Sequence, residues 1–159
     1  GFDISSWDVS NGTNFEGLFR NYFPQEEEVT FFPDISNWDV SSAINLQEMF
    51  RDNPLYNPDI SSWDVSNVTN MEYMFFKASS FNQDLSDWDV SNVELMRFMF
   101  YYASSFNQDL SDWDVSNVAT SVNVGGSIIS GCASFCSNTT NWTLPKPNFT
   151  NCSDDLGCD

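Results

Sequence analysis

Apolar residues recur along this chain with two alternating spacings. In LSDWDVSNV (residues 85–93), Trp88 and Val90 stand two apart around an Asp, with Leu85 and Val93 outside them. That is the alternation of a short strand with one buried face. A few residues on, Met96, Met99, Phe100 and Ala103 fall at i, i+3, i+4 and i+7, and Ser91 precedes Glu94 by three, so the spacing predicts a short helix opened by a capping box. The helical spacing returns at Met71, Met74, Phe75 and Ala78, at Leu46, Met49 and Phe50, and at Phe15, Leu18 and Phe19.

These alternations belong to a repeat. The stretch ASSFNQDLSDWDVSNV occurs at 78–93 and again, unchanged, at 103–118. Trp7, Trp38, Trp63, Trp88 and Trp113 mark its copies at intervals of 31, 25, 25 and 25 residues, with units starting near 3, 34, 59, 84 and 109. The longer first interval carries an acidic, proline-bearing insertion at 21–33, whose Glu26, Glu27 and Glu28 read as a solvated loop. One unit of this size cannot bury its own apolar face, so units must stack. The expected fold is an α/β repeat solenoid over residues 1–118, a leucine-rich-repeat-like coil of about five 25-residue strand–helix units with parallel strands about 4.8 Å apart. Its core is a set of columns: Trp7, Trp38, Trp63, Trp88 and Trp113; Val9, Val40, Val65, Val90 and Val115; and the Met and Phe residues of the helices.

The spacing [I/L]-x-x-W-x-V matches a leucine-rich-repeat strand with Trp in place of its second leucine. FNQDLSDWDVSNV with its Met-Phe ending resembles more closely the repeat of BspA-like leucine-rich-repeat surface proteins, over residues 2 to about 118. The resemblance implies a solenoid displayed outside the cell, with adhesion to proteins or other cells as the usual role. It carries over no binding residue, and the chain departs from it after Val118 and at Gly12 and Phe15 of the first unit.

The region 119–159 differs in composition and is expected to form a disulfide-tied cap or tail. It holds all four cysteines, Cys132, Cys136, Cys152 and Cys158, without a C-x-x-C pair and with no histidine in the chain, which favours two disulfides over zinc. Six N-x-[S/T] sequons occur, at Asn11, Asn67, Asn138, Asn141, Asn148 and Asn151, four of them in this tail. Asn151 is the weakest acceptor, because its middle residue is Cys152. Cysteines and sequons together point to an extracellular or cell-surface glycoprotein. No signal-peptide pattern opens the chain, which reads as a mature or trimmed product, and no apolar run is long enough to span a bilayer.

Charge narrows the partners. Twenty-three acids against five bases leave −18, a field that repels nucleic acid and anionic lipid. Two Asp columns dominate it: Asp8, Asp39, Asp64, Asp89 and Asp114 on the outward strand face, and Asp3, Asp34, Asp59, Asp84 and Asp109 just before each strand. Carboxylates stacked about 4.8 Å apart repel by roughly 1 kcal/mol per pair even in water. Hydrogen bonds from neighbouring Ser and backbone, upward-shifted pKa values, or bound cations could offset this, and calcium is the candidate cation for the outward column.

No enzyme is expected. Without His the Ser-His, Cys-His and zinc chemistries lack a partner, and carboxylates made equivalent by repetition do not supply an acid and a base of opposite character. No cofactor is required. The expected function is a structural extracellular glycoprotein assembling end to end into a fibre or sheath. The alternative is an adhesion module holding a protein or glycan partner.

Overall fold

A computed structural model describes residues 3–20, 32–150 and 152. The units do stack in register, but neither the strands nor the helices of the expected α/β solenoid form, and the leucine-rich-repeat reading is corrected accordingly. Among the described residues there is no α-helix, and the named strands are two, β1 (Val122–Val124) and β2 (Ser127–Ile129). They form an antiparallel hairpin beyond the repeats, turned at Gly125 and Gly126, both at positive φ. Within the repeats, the units meet through single parallel bridges, Asn14 to Asn45, Asn45 to Asn70 and Asn70 to Leu95.

The helix fails because its backbone donors are drawn to the next unit. Met71, Tyr73, Phe75 and Lys77 donate to the carbonyls of Leu95, Arg97, Met99 and Tyr101, while the N–H groups of Met74, Phe76 and Ala78 bond three residues back, to Met71, Tyr73 and Phe75. Left-handed residues recur four apart in each unit, at Glu48 and Asp52, Tyr73 and Lys77, Phe98 and Tyr102, and Ser134 and Asn138, and no α-helix survives such reversals. The result is a run of tight turns. It still turns Met71, Met74, Phe75 and Ala78 inward, so the helical spacing is kept without the helix.

The strand fails for a complementary reason. In each unit the donors that a ladder needs are taken locally: Asp34 Oδ1 accepts the Ser36 N–H, Trp38 N–H bonds Ile35 O, Asp39 Oδ1 accepts the Ser41 N–H, and Ala43 N–H bonds Val40 O. Asp and Ser compete with regular backbone pairing in this way.

Side chains bridge the units instead. Each buried Trp donates its indole Nε1–H to a carbonyl of the preceding unit: Trp38 to Ile4, Trp63 to Ile35, Trp88 to Ile60 and Trp113 to Leu85, at 2.9 to 3.1 Å. Asn67, Asn92 and Asn117 bond back to Ser41, Ser66 and Ser91 in the same manner. Beneath them run continuous apolar columns, among them Phe19, Phe50, Phe75 and Phe100, stacked at centroid distances of 5.7, 5.6 and 5.3 Å. Buried Glu72 and Arg97 pair across adjacent units, and the Glu72 carboxylate holds the guanidinium above its ordinary pKa.

Two residues assigned to the core lie outside it. Trp7 is 57% exposed and Leu18 45%, because among the described residues no unit covers the outer face of the first one. Of the insertion, only Phe32 and Pro33 are described: Phe32 stacks on Tyr56, whose hydroxyl donates to Pro33 O at 2.6 Å. The triplet Glu26, Glu27 and Glu28 lies outside the described residues.

The column geometry predicts unequal results for two equivalent tryptophans. Trp88→Ala, which empties a buried site stacked on Trp113 and strands the Ile60 carbonyl, should cost about 3–5 kcal/mol. Trp7→Ala should cost about half as much or less, since more than half of its surface already faces water and its indole makes no such bond among the described residues. Denaturant unfolding of the two variants checks this, and equal losses would refute the column.

Candidate functional site

Three surfaces carry the chemistry that the sequence singles out. The first is the acidic stripe. Asp8, Asp39, Asp64, Asp89 and Asp114 are all exposed. Each accepts the backbone N–H of the Ser two residues on, Ser10, Ser41, Ser66, Ser91 and Ser116, at 3.0 to 3.1 Å. The hydroxyls of Ser10, Ser41, Ser66 and Ser91 add a second bond at 2.6 Å. Asp3, Asp34, Asp59, Asp84 and Asp109 make the same backbone bond to Ser5, Ser36, Ser61, Ser86 and Ser111.

The two Ser donors decide the electrostatics. They hold Asp8, Asp39, Asp89 and Asp114 below the ordinary value of 3.8, the hydroxyl first and the backbone N–H second. Asp3, Asp34, Asp84 and Asp109 are lowered by the same pair of donors. Repulsion between neighbours, such as Asp8 on Asp39 and Asp114 on Asp89, pushes upward but loses. Local hydrogen bonding, one of the three offsets that the sequence leaves open, is thus in place, and the upward-shifted ladder is not found at these positions. As a calcium site the stripe fits poorly: each Asp commits Oδ1 to its Ser, and among the described residues no three acidic, Cys or His side chains gather where one cation could reach them.

The second surface is the outer face of the first unit. Ile4, Trp7, Leu18, Phe19 and Trp38 line a shallow apolar groove there. On the other side of the stack, described tail residues cover the last unit. The tail lays Trp142 and Phe149 on Phe135, Trp142 Nε1 donates to Gln108 O, and the N–H groups of Thr143 and Leu144 both bond Asn107 Oδ1. Cys132 and Cys152 form a disulfide that ties this tail down, Cys136 is disulfide-bonded as well, and Cys158 lies outside the described residues. Nothing in the repeat pattern flagged Trp142 as a cap. Its signal was a sixth Trp out of register with the other five.

The third surface is aromatic, and sequence reasoning missed it. Tyr73 stacks on Phe98 at 4.9 Å and Phe76 on Tyr101 at 5.1 Å, all half-buried, with Tyr102 exposed beside them. Four of the five basic residues lie on this side. Arg51 sits over the Tyr73 and Phe76 rings and pairs with Glu48 and Asp52; Lys77 lies over Phe76; Arg20 pairs with Glu48 and Arg97 with Glu72. The readable signal was a run of Phe and Tyr one turn outside the core spacing.

The sequons divide by geometry. The side-chain amides of Asn67 and Asn141 donate to Ser41 O and Ser104 O of neighbouring units. Asn11, Asn138 and Asn148 are exposed and make no side-chain hydrogen bond among the described residues. Asn151 lies outside the described residues.

A carboxyl held low in the folded state binds protons more readily when the chain unfolds. The stripe therefore contributes stability that is complete above the unfolded value and is lost as pH falls through the folded values, below about pH 4. Ser91→Ala should move the Asp89 carboxyl back up toward 3.8, because the hydroxyl is the larger of its two donors. Carboxyl NMR titration reads this directly, and an unmoved Asp89 would show that the hydroxyl is not the cause.

Among the described residues no helix is long and apolar enough to cross a membrane. No curated protein and no solved structure matches the chain significantly. A family model does match it, at residues 2–29 and 20–142, spanning the stacked units and the start of the tail. The chain belongs to the family described as Mycoplasma protein of unknown function, DUF285.

Proposed function

We propose that the protein is a non-catalytic structural glycoprotein of the cell exterior that assembles end to end through the outer face of its first unit. The observation that carries this reading is the contrast between Trp7, 57% exposed, and its equivalents Trp38, Trp63, Trp88 and Trp113, each buried beneath a preceding unit at 3–4%. A face with Trp7 and Leu18 uncovered has the chemistry that every later unit buries against a neighbour. The repeat fixes the chemistry of that neighbour, another unit of the same kind, and we assign it to a second copy. Disulfides and exposed sequons support an oxidising, glycosylating route.

Against catalysis stands the uniformity of the carboxylates. A surface depression of about 340 Å³ holds Asp34 and Asp59, and both make the same bond to a Ser two residues on. An acid–base pair needs two carboxyls in opposing environments.

The second reading is an adhesion module for a protein or glycan. The half-exposed aromatic face favours it, and the resemblance to BspA-like surface proteins points the same way.

Sedimentation velocity separates the two. The 159-residue chain should form concentration-dependent multimers, equally in calcium and in chelator because Ser already satisfies the stripe. Trp7→Glu with Leu18→Glu should leave a folded monomer. A parent chain that is monomeric at every concentration would rule out assembly and leave adhesion.

A further inference from the structure

The aromatic columns stop one unit short of the tail. Phe98 N–H bonds Ala133 O and Tyr102 N–H bonds Ser137 O at 2.9 Å, which sets Ser134 opposite Phe98 and Asn138 opposite Tyr102. The backbone confirms this register independently. Asp52, Lys77, Tyr102 and Asn138 are the second left-handed residue of their units, at φ 56°, 57°, 57° and 63°. Where Tyr73 and Phe76 are covered by Phe98 and Tyr101, those two rings are followed by Ser134 and Ser137, which are too small to cover them. Tyr102 stands 46% exposed at the edge.

Asn138 opens the sequon Asn138-Thr139-Thr140 at this ledge. Its side chain is exposed, whereas Thr139 is buried with its hydroxyl on Cys136 O at 2.6 Å. The neighbouring unit therefore fixes the acceptor's position while leaving its amide open to solvent. At Asn67 and Asn141 the amide nitrogen already points at a carbonyl of another unit, so a sugar there would have to stand between two backbones.

From this we infer that Asn138 carries an N-linked glycan whose first sugar rests on the ring of Tyr102, the exposed member of the edge-to-face Tyr101–Tyr102 pair. The inference rests on the cell-exterior reading given above. In the transfer step a lipid-linked pyrophosphoryl oligosaccharide is the donor. The bond from sugar C1 to the pyrophosphate oxygen breaks, C1 bonds to Asn138 Nδ2, and the amide loses one proton as the lipid pyrophosphate leaves. The apolar C–H face of the attached sugar then meets a flat apolar ring, while its hydroxyls stay in water. The aromatic ladder finds its last member in a carbohydrate.

Glycopeptide mass mapping of the protein from its own source, followed by native enzymatic deglycosylation of parent and Tyr102→Gly made in N-glycosylating cells, tests this. Glycine takes the left-handed conformation at 102 without strain, so the variant removes only the ledge. The expected results are a glycan at Asn138, released about threefold faster from the variant than from the parent, with release at Asn11 unchanged as the internal control. A bare Asn138 beside an occupied Asn11 or Asn148, or equal release rates, overturns the inference alone. Bare asparagine at every sequon overturns the cell-exterior reading and the inference with it.

Discussion

The structure depends on the hydrogen bond from each tryptophan indole to the carbonyl of an apolar residue one unit back. Trp63 to Ile35, Trp88 to Ile60 and Trp113 to Leu85 are buried bonds, so each satisfies a donor and an acceptor that would otherwise be costly. The same side chain fills the space between the units it ties. Tryptophan is suited to both, with a large apolar body and a single directed donor. A neighbour must lie on the carbonyl side for the bond to exist, which gives the stack a direction.

Direction explains why the two outer faces of the described stack differ. At the tail, Trp142 repeats the bond, to Gln108, and the disulfide between Cys132 and Cys152 fastens the segment that delivers it. At the first unit, Trp7 has the same sequence context as its equivalents, but its indole lies on an uncovered face. Among the described residues the tail covers the last unit, while the outer face of the first described unit presents apolar surface to water. Both proposals grow from such edges, one at the first unit and one where the aromatic columns give way to Ser134, Ser137 and Asn138.

The acidic stripe follows the same logic of local bonds. Each Asp satisfies backbone and hydroxyl donors of a Ser two residues on, and so shapes the turn while keeping its own charge. Repeated turns of this kind give the chain its acidity as a by-product of folding. Four of the five cations sit elsewhere, on the aromatic side, where Glu48, Asp52 and Glu72 pair with Arg20, Arg51 and Arg97.

Much of the packing is legible in the order of the amino acids. The period, the Trp and Val columns, the inward set Met71, Met74, Phe75 and Ala78, and the clustering of cysteines in the tail all follow from spacing, because burial depends on which residues recur together. Backbone conformation is not legible in the same way. Apolar residues at i, i+3, i+4 and i+7 are served equally by a helix and by a chain of turns, and what separates the two is where the N–H groups go. Those of Met71, Tyr73, Phe75 and Lys77 go to another unit, a partner 24 residues away that local sequence does not display. Trp7 makes the same point for side chains: its repeat position makes it a member of the column, and only the absence of a covering unit among the described residues leaves it in water. Which residues stack, and with what period, is written in the chain itself. How the backbone bends between the stacked positions, and which faces stay open, is set in three dimensions, because both depend on donors and surfaces that the neighbouring unit supplies.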